Sequence, residues 1–313
     1  MPDSIPISVI ITTYNAAETV AACLKALLAQ QTETPFEVIV VDSSTDNTAE
    51  IVRSQFPAVQ LHHFDERKYC GDARNFGVSV ARGQLLAFTD ADCTAPPDWI
   101  DSLVRSHAQP YLVIGGAIAP DPNHTLIGWA AYFSEFSRWL PGHPRYEIRD
   151  VAGANMSFKR EAFARYGRFI EGTYGSDTDY HWRVTRLGGQ PPLFDPSILV
   201  THHSLNDFRR FIWHEFKHGK DFGRVRLHSQ NFSIWRRGLY TVLGGLIPVK
   251  IFVHTMRNTF QSRRYVKQFM AALPLTLLGV IAWSLGEFIS YAGLDLNEAR
   301  LRPHTQPDSV QSL

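Results

Sequence analysis

Three apolar runs, each ending in a small polar cluster, constrain the fold of this chain more than any other feature. Ile7-Ser8-Val9-Ile10-Ile11-Thr12 leads into Tyr14 and Asn15. Phe36 to Val41 ends in Asp42 and Ser43. Leu85-Leu86-Ala87-Phe88 ends in Thr89-Asp90-Ala91-Asp92. Apolar runs of this length, bounded by turn residues, read as buried strands. Helical patterns lie between them. Val20, Cys23, Leu24, Leu27 and Leu28 recur at helical spacing behind Asn15 as N-cap, Asp46 caps a helix through Gln55, and Ala73 to Arg82 stops at Gly83. Val59 to His63 is a weaker strand. Alternation of this kind predicts a largely parallel α/β sheet with right-handed crossovers. The ends of successive parallel strands share one edge, where open α/β sheets bind ligands. Three polar strand ends therefore predict one cleft.

Asp90 and Asp92 place two carboxylates one residue apart at such an end. Hard oxygen ligands suit Mg²⁺ or Mn²⁺, which take one or two carboxylates together with the oxygens of a phosphate. Taken alone, the pair could equally cap the turn and the helix that begins near Pro97. Arg74 lies in Gly71-Asp72-Ala73-Arg74-Asn75-Phe76-Gly77, at a helix start. Free N–H groups, a positive dipole end and an arginine suit a diphosphate. A solvated first-turn arginine is the alternative.

TTYN after the first strand, VVDSSTD after the second, the GDARN helix start and FTDAD, in that order, resemble family 2 glycosyltransferases of the GT-A fold. The resemblance implies a Rossmann-like, mostly parallel sheet with flanking helices over residues 1–205. It also implies a nucleotide-diphosphate sugar donor, a divalent metal (Mn²⁺ or Mg²⁺) and inversion at the transferred sugar. By position, Thr12, Tyr14 and Asp42 would hold the nucleobase and ribose. Arg74 would lie near the base or phosphates, Asp90 would meet the ribose or metal, and Asp92 the metal. Val151 to Arg160 is similar to the family's acceptor-side segment. Gly175-Ser176-Asp177-Thr178-Asp179 resembles its G-E-D-x-(D/E) helix start, which makes Asp177 the catalytic base, with Ser176 in place of the usual glutamate. By its own residues Asp177 is equally a helix N-cap. His202, with His203 as fallback, matches the position of a metal-binding histidine.

The remainder of the chain points to a membrane. Net charge is +1, which argues against nucleic acid as a partner. Basic residues nevertheless crowd Arg209 to Lys267, opposed only by Glu215 and Asp221, and suggest an anionic membrane surface. Phe208 to Lys220 mixes aromatic and basic residues as an interfacial helix would, within a basic region 206–270. Leu239 to Val253 is apolar but interrupted by Pro248 and Lys250, and reads as too short to span. Ala271 to Ala292 carries one charge, Glu287, and is long enough to cross a core of about 30 Å; a buried core helix is the alternative. The basic residues before it place that side in the cytoplasm. Residues 293–313 read as a polar, disordered tail. Tyr111 to Ala117 reads as a strand, and Pro120 to Asp150 as irregular and rich in aromatics.

Cys23, Cys70 and Cys93 have no metal-type spacing and fit a reducing compartment. No signal peptide is expected from the N-terminal residues. The expectation is a glycosyltransferase at the cytoplasmic face of the cell membrane, acting on a glycan or lipid-linked hydroxyl. A polyprenyl-phosphate sugar synthase and a non-catalytic carbohydrate-binding scaffold are the alternatives.

Overall fold

The computed structural model describes residues 6–294. Its first elements are β1 (Ile7–Thr13), α1 (Val20–Leu28), β2 (Phe36–Asp42), α2 (Thr48–Gln55), β3 (Gln60–His63), α3 (Cys70–Val80), β4 (Leu85–Asp90), β5 (Cys93–Thr94) and α4 (Trp99–His107). There follow β6 (Val113–Pro120), α5 (Leu126–Phe136), a 3₁₀ turn (Ser137–Trp139), β7 (Tyr146–Glu147), β8 (Asn155–Lys159), α6 (Glu161–Tyr166), α7 (Ser176–Arg186) and β9 (Leu193–His202). The last are α8 (Phe208–Ser229), α9 (Ile234–Val242), a second 3₁₀ turn (Leu243–Leu246), α10 (Ile247–Ser262) and α11 (Val266–Ala292). Two compact units emerge. One holds residues up to 116 and 145–200, the other 117–144 and 201–294. Residues 117–144 thus group with the C-terminal helices, although they fall inside the stretch assigned to the catalytic fold by linear reading.

The sheet runs β3-β2-β1-β4-β8-β6-β9-β5, with β7 against β9. β1 pairs in parallel with both β2 and β4, and β2 with β3. β8 runs antiparallel to β4 and β6. The sheet is therefore parallel where the sequence alternates strand and helix, and mixed beyond it. The chain steps outward from β1 to β3, then returns to lay β4 on the other side of β1. That reversal opens a crevice at the carboxyl ends of β1 and β4, the place where such sheets take ligands.

The core beneath the crevice comes from the runs that predicted the strands. Ile10, Ile39, Val41, Leu86 and Phe88 are buried together with Met156, Phe158, Phe169 and Tyr180. Phe88 meets Phe158 and Phe169 edge to face, each at 5.6 Å between centroids. Edge-to-face pairs of this kind add to the area they bury and hold the end of β4 rigid under Asp90.

Two sequence expectations need correction here. The strand expected at Tyr111–Ala117 is Val113–Pro120. The stretch expected to be irregular contains α5, which begins where the Thr125 hydroxyl accepts the Gly128 N–H at 3.2 Å. α5 buries Gly128, Ala130, Ala131, Tyr132, Phe133 and Phe136. A helix apolar on nearly every side shows little amphipathic period, which is why its aromatics read as loop.

In the second unit α11 crosses α8 at contact distance between backbones. A Cβ on Gly219 would lie 1.9 Å from the Trp283 carbonyl oxygen, and one on Gly286 would lie 2.0 Å from that of Phe216. The single acidic residue of α11, Glu287, is buried and ion-paired with Arg226 of α8 at 3.1 Å. Among the described residues two helical stretches, not one, are long and apolar enough to cross a membrane: Ile234–Ser262 and Val266–Ala292. The first was expected to be too short. Pro248 occupies the first turn of α10, where its missing N–H costs nothing, so it starts a helix instead of breaking one. The expected tail beyond Leu294 lies outside the described residues.

Candidate active site

The register sets the site. Thr12 of β1 lies opposite Asp90 of β4, and Thr13 opposite Asp42 of β2. Strands about 4.8 Å apart therefore present the three polar ends side by side. The chain turns sharply after Tyr14 because Asn15 adopts a left-handed backbone, φ 54°. Asparagine tolerates that conformation better than most residues. Its side-chain oxygen accepts the Thr45 N–H at 2.9 Å, while its own N–H donates to Ser44 Oγ at 2.8 Å. The loops after β1 and β2 are thus locked together.

Asp42 is fully buried and organises this corner. Its Oδ1 accepts from the Thr13 hydroxyl at 2.6 Å and the Ser44 hydroxyl at 2.5 Å, and its Oδ2 from His63 Nδ1 at 2.5 Å. Tyr14 is partly exposed, with the Arg67 guanidinium 4.2 Å from its ring centroid. Arg67 also reaches the Tyr69 ring at 5.0 Å and donates to the Tyr174 hydroxyl at 2.5 Å. Three tyrosines around one arginine, with the Tyr69 and Tyr174 rings at 85° to each other, form a cationic aromatic wall of the kind a planar base can stack on. Sequence reasoning found Tyr14 and missed Arg67, Tyr69, Tyr174 and His63. These lie in loops, or at a strand end, with no motif to mark them.

Arg74 is buried in the first turn of α3 and sits between the carboxylates. Its Nη2 is 3.7 Å from Asp90 Oδ1, and its Nη1 donates to Ser176 Oγ at 3.2 Å. Burial opposes its charge, but Cys70, Asp177 and Asp90 outweigh that and raise its pKa further. Ser176, the departure from the family pattern, thus has a role in holding this guanidinium. Asp177 follows in the first turn of α7 and is half-buried. Its Oδ2 accepts the Gly153 N–H at 3.0 Å. Gly153 must lack a side chain, since a Cβ there would lie 2.3 Å from Arg74 Nη2 and 3.1 Å from Asp177 Oδ2. Asp179, the other carboxylate of the motif, is buried and paired with Arg183 at 3.7 Å. Asp177 is therefore the carboxylate of the two that faces the cleft.

Asp90 and Asp92 suit a hard cation. Their charges act together on the buried thiols of Cys23 and Cys93. Burial first, then Asp92 and Asp90, push both thiols far above the ordinary range. The paired carboxylate oxygens are hard donors of the kind Mg²⁺ and Mn²⁺ prefer. His202 ends β9 in the second unit. It is buried, with Nδ1 3.1 Å from Ser204 Oγ and its ring 4.5 Å from that of Phe136. His203 is instead paired with Asp121 at 2.5 Å.

Comparison with known proteins decides the family. The pattern described as Glycosyl transferase family 2 matches residues 8–167. The chain is a family 2 glycosyltransferase. Among the relatives of this glycosyltransferase is the glycosyltransferase AglE of Haloferax volcanii, 36% identical over 70% of this chain and 74% of that one. The glucosyl-dolichyl phosphate glucuronosyltransferase of the same organism is 27% identical over 67% of this chain and 73% of its own length. A mannosyltransferase from Pyrobaculum calidifontis, solved with GDP-Man and Mn²⁺, has a TM-score of 0.58 at 18% identity. The match covers 90% of the present enzyme and 86% of that chain. S. aureus TarS, solved with UDP-GlcNAc, gives 0.53 at 14% identity, with 92% of each chain covered. These likenesses bear out the GT-A fold. They also place Thr12, Tyr14, Asp42, Arg74, Asp90 and Asp92 within the stretch that matches the family.

Proposed function

We propose that the enzyme transfers a sugar, with inversion, from a nucleotide-diphosphate donor to a hydroxyl of a lipid-linked glycan at the cytoplasmic face of a membrane. The observation that carries this reading is the position of Arg74. One guanidinium joins Asp90, on the donor side of the cleft, to Ser176 and the start of α7, on which Asp177 sits. A diphosphate and an attacking hydroxyl need that arrangement, with a cation between two differently placed carboxylates.

The wall of Tyr14, Arg67 and Tyr69 takes the base, and Arg74 orients the diphosphate. Asp92 with Asp90, joined by His202 on the family resemblance, would hold the divalent metal. A cation bound there would neutralise charge on the leaving diphosphate. Asp177 receives the proton of the acceptor hydroxyl as its oxygen attacks the anomeric carbon. The carbon–oxygen bond to the diphosphate breaks, the diphosphate keeps the electron pair, and a single displacement inverts the centre. The Gly153 N–H on Oδ2 fixes the carboxylate, which leaves Oδ1 to receive the proton.

The name of the Haloferax volcanii glucuronosyltransferase, which specifies a dolichyl-phosphate sugar, supports a lipid-linked acceptor. So does the second unit. Ile234, Trp235 and Val242 of α9 are 80%, 86% and 82% exposed, and Arg236 and Arg237 lie beside them. Exposed apolar side chains next to arginines suit the boundary between headgroups and acyl chains.

The test is Asp177→Asn, assayed with a panel of nucleotide sugars and a glycolipid acceptor, with and without Mn²⁺. The amide oxygen keeps the Gly153 hydrogen bond and only the base is lost. Turnover should fall on the order of 10²–10⁴-fold with donor affinity unchanged. Undiminished turnover on a hydroxyl acceptor would refute the assignment. Activity retained only on a polyprenyl-phosphate acceptor, already ionised, would show a polyprenyl-phosphate sugar synthase.

A further inference from the structure

The second unit holds a cluster of metal-ligating side chains that the transfer reaction does not use. His214 and His218 stand one helical turn apart on α8, with ring centroids 4.1 Å apart. Glu135, near the end of α5, faces both. Its Oε1 is 3.7 Å from His214 Nε2 and 3.8 Å from His218 Nδ1. One ligand atom from each of the three lies within 4.8 Å of the others. Two ligands about 2.1 Å from a tetrahedral ion are about 3.4 Å apart. The cluster is within a few tenths of an ångström of that spacing on two of its three edges.

A second observation points to the same place. Glu215, next to His214, is 1% exposed, and both its carboxylate oxygens are buried with no hydrogen-bond partner. A buried carboxyl group without a hydrogen-bond partner is costly.

We infer that Glu135, His214 and His218 form a transition-metal site of the Zn²⁺ class that staples α5 to α8. Two imidazole nitrogens and one carboxylate oxygen select a borderline ion over Mg²⁺ or Ca²⁺. The α8 pair presents its two nitrogens on one face, as i, i+4 histidines do. Three protein ligands leave a fourth position for water. The site is separate in residues from the Asp90–Asp92 pair and differs from it in chemistry.

The test uses the full-length protein in detergent with Co²⁺ as probe, in an Asp92→Asn background that removes the carboxylate assigned to the other metal. The expected result is about one equivalent of Co²⁺ per chain with the visible absorption of a tetrahedral N/O site, and a rise in melting temperature. Glu135→Gln and, separately, His214→Gln should each lower Co²⁺ affinity at least about 100-fold while the far-ultraviolet dichroism is kept. His214 is the most exposed of the three, so its variant guards against a failure to fold. Absence of Co²⁺ uptake by the Asp92→Asn protein would overturn the inference, as would uptake unaffected by both glutamine variants.

Discussion

Gly153 gives the sharpest test of how the site is held together. Its backbone lies outside the left-handed region, so alanine is conformationally acceptable there. The added methyl, however, would stand 2.3 Å from Arg74 Nη2. That is more than 1 Å inside ordinary contact, and the guanidinium has to move. Moving it gives up the approach to Asp90 at 3.7 Å and the bond to Ser176 Oγ at 3.2 Å. A hydrogen bond to a charged group contributes about 1.5–3 kcal/mol. If Arg74 orients the donor diphosphate, Gly153→Ala should therefore weaken donor binding by about 10- to 150-fold. Titration calorimetry with the nucleotide sugar measures this, and a thermal melt checks the fold. The melt should fall by no more than the lost Ser176 hydrogen bond accounts for, because the clash is with the end of a side chain and not with backbone. Arg74→Lys, which keeps charge but loses the planar fork, should show a comparable loss. Donor affinity within twofold of wild type in Gly153→Ala would refute the placement of Arg74 against the diphosphate.

Asp92→Ala should abolish Mn²⁺-stimulated turnover with an unchanged melt, since the residue lies beyond a strand end; full wild-type activity in EDTA would exclude the metal role. His107 makes stability fall in mild acid. Burial, with Lys159, pushes its pKa from 6.5 to about 3, and its Nε2 lies 2.7 Å from Ser157 Oγ. The folded pKa is below the unfolded one, so the unfolded chain binds the extra proton. This contribution is intact above pH 6.5 and is lost toward pH 3 at up to about 1.4 kcal/mol per unit. Denaturant midpoints across that window should fall with acid in wild type and fall less steeply in His107→Gln. The full-length protein should resist a high-salt wash of membranes, whereas the triple variant Ile234→Glu, Trp235→Glu, Val242→Glu should come off more readily. Equal retention of the two proteins would exclude α9 as a membrane contact.

The N-terminal half of the fold was legible because β1, β2 and β4 are buried apolar runs and because a polar end breaks each run abruptly. Register then follows, and with it the meeting of Thr12, Asp42 and Asp90. The wall around Arg67 was not legible. Arg67 and Tyr69 come from the loop before α3 and Tyr174 from the loop before α7, and an arginine–tyrosine contact leaves no periodic trace in sequence. Ser176 was legible only as a departure. Its use became visible once Arg74 was found buried beside it. Asp177 and Asp179 look alike in sequence and part in structure: one faces the cleft, the other is buried against Arg183.

The reach of the apolar stretch around Leu239–Val253 was underread for a reason that bears on any apolar segment. Hydropathy counts the residues of a helix but does not say which face another helix covers. Ala271–Ala292 has the greater hydropathy, yet its glycines let backbones touch. Gly286 lies against Phe216 and Lys220 of α8, and Gly279 against Phe211. Glu287 reads as a lone charge in sequence and is one half of an ion pair in the structure. Ile234–Ser262 looks interrupted in sequence, yet its candidate window is 11% buried against 44% for Val266–Ala292. Apolar surface left uncovered needs a partner more than apolar surface already packed. On that argument Ile234–Ser262, more than Val266–Ala292, is the stretch whose apolar surface calls for a partner. Val266–Ala292 acts partly as the helix against which α5 and α8 are assembled, so removing it would unfold the unit and not merely release it from a membrane.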